Sequence, residues 1–399
     1  MTNPWERFKQ AARLEEPQPV PVGLIVDSPW LPGYAGLDTR DYFLFPEKWL
    51  EINLGLLARF PEAVWIPGFW VEYGMAAEPS AFGVRVRFHP DRPPSIEPLV
   101  SDLAFWAGVK PADPQEDGLM PLVRRLYEVV DERLHAEGLG IRMVCARGPM
   151  TVASWLMGVT PVMMGLISSP GEVSAILDTM TTTIIRWLHA QLDALHQPEG
   201  IMLLDDVVGM VSKRHYEEFI HPHLLRIFDE FEGLIRIYHN DTPCPHLLES
   251  LAEANFDVFN FSHQMDIGEV KAVMGHRVAV MGNVPPLDVG VRGTPEEVKQ
   301  WAGERLDKAA PGGGMILSFG GGVSPGTPSE NIDALLEAAR EWSSRRSLES
   351  SKAVSRRFEG GLLTAVCTRR RWPHDAGLSG AGRETSANSE RANERVAQV

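Results

Sequence analysis

Cysteine is scarce in this chain: Cys145, Cys244 and Cys367 are the only three in 399 residues, and they are widely spaced. That excludes a disulfide framework and suits a reducing compartment, so a cytoplasmic protein is expected. Positive charge is also in short supply, with 38 Lys and Arg against 53 Asp and Glu and a formal net charge of −15. A chain of that sign lacks the basic footprint that phosphate binding demands, so no nucleic-acid partner is expected. No run of about 18 uncharged apolar residues occurs, which excludes a simple membrane-spanning helix. The opening stretch MTNPWERFKQAARLEEPQP has no apolar segment of the kind a secretion signal needs. No G-x-G-x-x-G comes after the first strand-like run, which removes the dinucleotide-binding fingerprint.

What the chain does have is apolar residues, 44% of the total, enough for one large core. Short apolar runs alternate with longer amphipathic stretches. The runs are PVGLIV (21–26), AVWI (63–66), IRMVCA (141–146), GIMLL (200–204), LIRIYH (234–239), FDVFN (256–260), VAVMG (278–282) and GMILSF (314–319). They are apolar on both faces, the pattern of parallel strands buried beneath helices. The stretches between them often open on Ser, Asp or Thr with Pro or Glu in the first turn, which are helix-start signals. Eight such units predict an α/β fold, a single (β/α)8 TIM barrel. Residues 84–99 read as a hairpin inserted between the second and third units. From Ser351 onward nine Arg or Lys outnumber five Asp or Glu, and apolar periodicity is lost. Residues 1–348 are therefore expected to form the barrel and 349–399 a disordered tail.

A barrel of this kind carries its chemistry at the C-terminal ends of its strands. The polar and aromatic residues at those ends are Asp27 and Trp30, then Phe69, Arg147, the pair Asp205–Asp206, His239 with Asn240 and Asp241, Asn260 with Ser262 and His263, and Asn283; the last strand runs into the glycines 320–322. His239 and Asp241 are two apart, so on an extended strand both project to one face. They can hold one metal ion, contact one substrate, or simply bond to each other. Cys244 lies close enough to offer a sulfur ligand, or to be a small buried residue. Asp205 and Asp206 are adjacent, so only one of them can point into a site; we expect Asp205 in a catalytic role and Asp206 in substrate binding. Gly321 gives close backbone approach for a bulky ligand.

Several long segments resemble the uroporphyrinogen decarboxylase superfamily. They include WERFKQAARLEEPQPVPV at the start, LPGY (31–34), RGPMTVASWLMG (147–158), LDDVVGMVSKRHYEEFIHPHLLRI (204–227) and APGGGMILSFGGGVSPGTPSENI (310–332). That group comprises haem-pathway decarboxylases and zinc-dependent methyltransferases that serve corrinoid or coenzyme-M methyl transfer. The resemblance implies a TIM barrel with its site at the C-terminal mouth. The decarboxylases share an arginine-bearing R-Q-A-G-R-Y-L-P-E-Y segment; here IVDSPWLPGY puts Ile25 and Pro29 at the arginine positions. They also carry an aspartate after strand two, where this chain reads IPGFW, and a G-H-G that is G-G-G here. The methyltransferases hold zinc through a His-x-Cys and a G-C-G, whose positions are His239, Asp241 and Gly321. Their acidic, small-residue segment matches AEPSAFG (77–83), which makes Glu78 a further candidate ligand.

The resemblance thus implies methyl transfer from a small substrate to a thiol or to a corrinoid protein. Zinc would sit on His239, Asp241 and Glu78, with Asp27, Trp30, Phe69, Arg147, Asp206, His263 and Gly321 around the substrate. No D-x-H-x-x-G for cobalamin occurs, so the corrinoid would belong to a partner. A homodimer is the assembly expected. A lyase acting on a carboxylated ring and a non-catalytic ligand-binding barrel are the alternatives.

Overall fold

The computed structural model describes residues 3–26, 29–71 and 73–367, with side chains as far as residue 349. Asp27, expected to contact substrate, lies outside the described residues. The described strands are β1 (Val22–Ile25), β2 (Ala63–Ile66), β3 (Arg85–Arg87), β4 (Ser95–Glu97), β5 (Met143–Arg147), β6 (Gly200–Leu204), β7 (Ile235–Asn240), β8 (Val258–Phe261), β9 (Ala279–Val284) and β10 (Met315–Phe319). Eight of them form one parallel sheet in the order β2-β1-β10-β9-β8-β7-β6-β5, and β3 pairs with β4 in an antiparallel hairpin inside 84–99. The row curls into a nearly closed TIM barrel whose first and last members are β2 and β5.

Side chains alternate across each strand, and the two faces enter two different cores. One set joins Ile25, Val64, Ile66, Met143, Cys145, Met202, Leu204, Ile237, Val258, Ala279, Met281 and Ile316 with Trp5 and Phe8 of the helix Pro4–Ala12. These residues fill the barrel interior, and the first helix plugs its N-terminal end. The other set, including Trp65, Val144, Leu203, Tyr238, Phe259, Val280 and Leu317, packs outward against the helices. Both faces of the parallel sheet are buried, so its strands are largely apolar at odd and even positions alike, whereas the exposed hairpin strands β3 and β4 alternate.

The helices supply the outer half of that second core. Pro170–Leu192 buries Val173, Ile176, Leu177, Met180, Ile184, Trp187 and Leu188 at helical spacing. Pro295–Ala309 begins with a full capping box between Thr294 and Glu297. Among the described residues no single helix is long and apolar enough to cross a membrane.

The chain divides into two compact units, 1–347 and 348–399. The helix Ser329–Cys367 runs past Leu348, where the sequence alone suggests that order ends. A run without apolar periodicity can still extend a helix already nucleated, because each added residue gains one hydrogen bond. Residues 368–399 of the expected tail lie outside the described residues.

Candidate functional site

Strand parity builds the site. On β7 the interior positions are Ile235, Ile237, His239 and, just beyond the strand, Asp241. On β6 they are Met202 and Leu204, so the next residue of that parity is Asp206. The parallel register sets His239 beside Leu204 on one side and Asn260 of β8 on the other. Two neighbouring strands therefore deliver three ligand-bearing side chains to one point at the mouth.

Asp206, His239 and Asp241 each offer a ligand atom, and all three atoms lie within 4.8 Å of one another. His239 Nε2 is 3.5 Å from Asp206 Oδ1, and the Asp241 backbone N–H donates to the same oxygen at 3.0 Å. His239 is buried, Asp206 half-buried and Asp241 exposed. Desolvation by the surrounding mouth pushes the Asp241 carboxyl above its ordinary range, the Asp206 charge pushes it further, and His239 and His263 partly offset both. Gly321 closes the other side: at φ +131° it takes a conformation side chains avoid, and a Cβ there would sit 3.4 Å from Asp241 Oδ2.

A divalent ion fits this donor set. Two ligands on one zinc ion are at most about 4.2 Å apart, twice a bond length of about 2.1 Å, so the cluster needs only small adjustments to close on an ion. Two carboxylates and one imidazole make a hard, charge-rich set, unlike a thiolate site.

Asp205, expected as the catalytic carboxylate, faces the other way. It is fully buried, and its carboxylate accepts from the backbone N–H of Met150 at 3.3 Å, the backbone N–H of Thr151 at 2.8 Å and the Thr151 hydroxyl at 2.7 Å. It clamps the start of the helix Pro149–Met157, and Gly148 lies so close that no side chain fits there. Burial raises its carboxyl to about 7, against the opposing effect of the Thr151 bonds.

Glu78 is not part of the cluster either. It is buried, its Oε1 accepts from the Arg147 backbone N–H at 2.9 Å, and burial pushes its carboxyl up while the Arg147 charge pulls it down. Arg147 itself is buried, with its guanidinium 4.8 Å from the Trp70 ring and 5.9 Å from Trp155. Trp30 and Phe69, expected against substrate, are core residues. Trp30 stacks on Trp65 at 6.3 Å and donates from Nε1 to the Thr327 carbonyl, and Phe69 meets Trp49 edge-on at 6.1 Å. Large aromatics placed next to a strand end were absorbed by the outer core rather than the mouth.

His263 is half-buried, with its backbone tight against Gly320. Cys244 is fully buried, burial pushes its thiol up to about 12, and it lies outside the cluster of Asp206, His239 and Asp241. Asn260, one of the polar residues expected at the strand ends, belongs to the site: its Oδ1 is 2.7 Å from His239 Nδ1. Only the register of β7 against β8 reveals that contact.

Comparison with known proteins places this geometry in a family. The uroporphyrinogen decarboxylase (URO-D) family profile matches residues 3–342. A uroporphyrinogen decarboxylase of Pseudoalteromonas translucida is 26% identical over 282 residues, covering 67% of this chain and 76% of that protein. One from Pseudomonas aeruginosa is 24% identical over 363 residues, covering 85% and 98%. Among solved structures, a methyltransferase from Methanosarcina mazei superimposes with a TM-score of 0.72 at 23% identity, over 86% of this chain and 99% of that one. At that identity the likeness is one of fold. With a profile match over most of its length, this chain belongs to the uroporphyrinogen decarboxylase family.

Proposed function

We propose that this protein is a methyltransferase or demethylase, moving a methyl group from a small donor to a thiol or to a corrinoid carried by a separate protein. The observation that carries the reading is the convergence of Asp206, His239 and Asp241 at the barrel mouth. A methyltransferase from Methanosarcina mazei with the same fold supports it. Zinc is the proposed ion, held by these three residues; when bound it would supply Lewis acidity to the donor heteroatom or to an acceptor thiol.

The chain's own residues decide which donors fit. Asp206 and Asp241 together carry up to two negative charges, which a divalent ion cancels, so a neutral or cationic methyl donor suits the mouth better than a polycarboxylate. His239 anchors the donor side from a rigid strand position. Asp241, pushed toward protonation and exposed, can hold a proton next to a departing amine or alkoxide whenever it is not engaged as a ligand.

The curated relatives favour a second reading, decarboxylation of a carboxylated ring. Against it, Ile25 and Pro29 stand where the decarboxylase pattern has arginines, and residues 66–70 contain no carboxylate. Bidentate guanidinium clamps for acetate and propionate groups are missing at those positions.

The test is a panel of methoxylated and methylated-amine donors incubated with the zinc-loaded protein and free cob(I)alamin. Methylcobalamin, followed by its visible spectrum, is the expected product with at least one donor class. A parallel anaerobic assay for coproporphyrinogen from uroporphyrinogen III decides for the second reading if it is positive. Failure of both across the panel, together with no methyl transfer to a free thiol acceptor, would leave a non-catalytic barrel.

A further inference from the structure

The side chain of Asn260 ties four strands together. Its Nδ2 donates one hydrogen to the Met281 carbonyl of β9 at 2.9 Å and the other to the Phe319 carbonyl of β10 at 3.1 Å. Its Oδ1 faces His239 Nδ1 of β7 at 2.7 Å, and the residue is fully buried on β8. The amide orientation is set by these partners. Turning it over would set Oδ1 against two backbone carbonyls and Nδ2 against the imidazole, breaking two hydrogen bonds at a fully buried position. With Oδ1 toward the ring, the 2.7 Å contact is a hydrogen bond only if Nδ1 carries the proton.

We infer that Asn260 is a positioning residue that keeps the His239 ring proton on Nδ1 and aims the Nε2 lone pair at the mouth. That lone pair then faces Asp206 Oδ1, also an acceptor, at 3.5 Å. With both carboxylates ionised, three side-chain acceptors thus converge: Nε2 and the two carboxylates. The arrangement selects an electron-pair acceptor, a divalent cation in preference to an anion. It also leaves Nε2 ready to ligate with no tautomer change on binding. A ligating imidazole whose other nitrogen donates to a fixed oxygen is a recurrent way to orient metal ligands. Here the fixed oxygen is an amide anchored by strands that supply no ligand themselves.

The tautomer is read from long-range 1H–15N spectra of the full chain labelled at histidine, zinc-free, at pH 8. The His239 signals are identified as those lost in His239→Gln. The wild type should show a protonated Nδ1 and a bare Nε2. Asn260→Asp, which keeps an acceptor opposite Nδ1, should show the same. Asn260→Leu, which keeps the volume but no acceptor, should move the proton to Nε2, where Asp206 can accept it. A bare Nδ1 in the wild type, or an unchanged Nδ1–H in folded Asn260→Leu, overturns the inference. If Asn260→Leu does not fold, the wild-type and Asn260→Asp spectra still decide it. Calorimetry with zinc adds a second readout: Asn260→Leu should bind roughly 10–100-fold more weakly than wild type, and equal affinity would count against a positioning role. The zinc arm rests on the proposed function, whereas the tautomer does not. A wild type that binds no zinc yet shows the Nδ1–H form would therefore sink the metal proposal and leave the role of Asn260 standing.

Discussion

Asp205 and Asp206 are consecutive residues with opposite assignments. Asp205 turns outward to clamp the start of the helix Pro149–Met157, and Asp206 turns inward to lie 3.5 Å from His239 Nε2. The division comes from the two-residue period of an extended chain, carried one step past the end of β6.

Zinc binding should depend on His239 and weaken as pH falls. Ligation needs a bare imidazole nitrogen and ionised carboxylates, and the Asp241 carboxyl is already pushed toward protonation by desolvation and by Asp206. Calorimetry from pH 8 down to 5.5 should show falling affinity, with His239→Ala lacking stoichiometric metal by elemental analysis. Affinity that rises with acidity would mean that a protonated His239 binds anions instead.

The buried Asp205 makes a separate, testable contribution to stability. Its folded carboxyl, at about 7, lies above the ordinary 3.8, so the folded state holds this proton more tightly than the unfolded chain. Stability from that difference is complete below about pH 4 and is lost as pH rises through 7, at roughly 1.4 kcal/mol for each pH unit in between. Urea unfolding at pH 4.5, 6 and 7.5 should give a wild type that loses a few kcal/mol relative to Asp205→Asn across the series. Parallel pH profiles for the two proteins would contradict a buried proton at Asp205.

Gly321→Ala should damage both the backbone and the site. The residue sits at φ +131°, and an added Cβ would touch Asp241 Oδ2 at 3.4 Å. Forcing a side chain into such a conformation costs about 1–3 kcal/mol. We expect a lower thermal midpoint together with weaker zinc binding; wild-type values of both would show that the loop adjusts freely.

Uroporphyrinogen III should not be decarboxylated at ordinary enzyme rates. Ile25 is buried in the barrel interior at a position where the decarboxylase pattern has arginine, and the segment 66–70 offers no carboxylate to a protonated pyrrole. Losing one charge-stabilising group typically costs about 10²–10³ in rate, and here several are missing. Steady production of coproporphyrinogen would show that other residues replace those groups.

Truncation after Leu348 should leave the thermal midpoint nearly unchanged. The unit 1–347 keeps Ile332, Leu335, Ala339 and Trp342, the buried face of the last helix within it. A drop of many degrees would show that the removed segment stabilises the barrel.

The barrel itself was legible because burial leaves a mark on sequence. Each of the eight apolar runs overlaps a strand of the parallel sheet, and AVWI and GIMLL match β2 and β6 residue for residue. His239 and Asp241 were legible for a related reason: a polar i, i+2 pair at the end of an apolar run stands out, and its spacing alone puts both side chains on one face.

What the sequence could not supply was parity and register. A strand buried on both faces is apolar at odd and even positions alike, so nothing in GIMLLDD says whether Asp205 or Asp206 looks into the barrel. The answer came from which of Met202 and Leu203 packs inside, a choice made by the whole sheet as it closes. The same holds for Asn260 and Glu78. Asn260 meets His239 only through the alignment of β7 with β8, and Glu78 meets Arg147 across 69 residues of chain. Local chemistry determines which residues can act, but their neighbours come from long-range pairing, which local sequence does not encode.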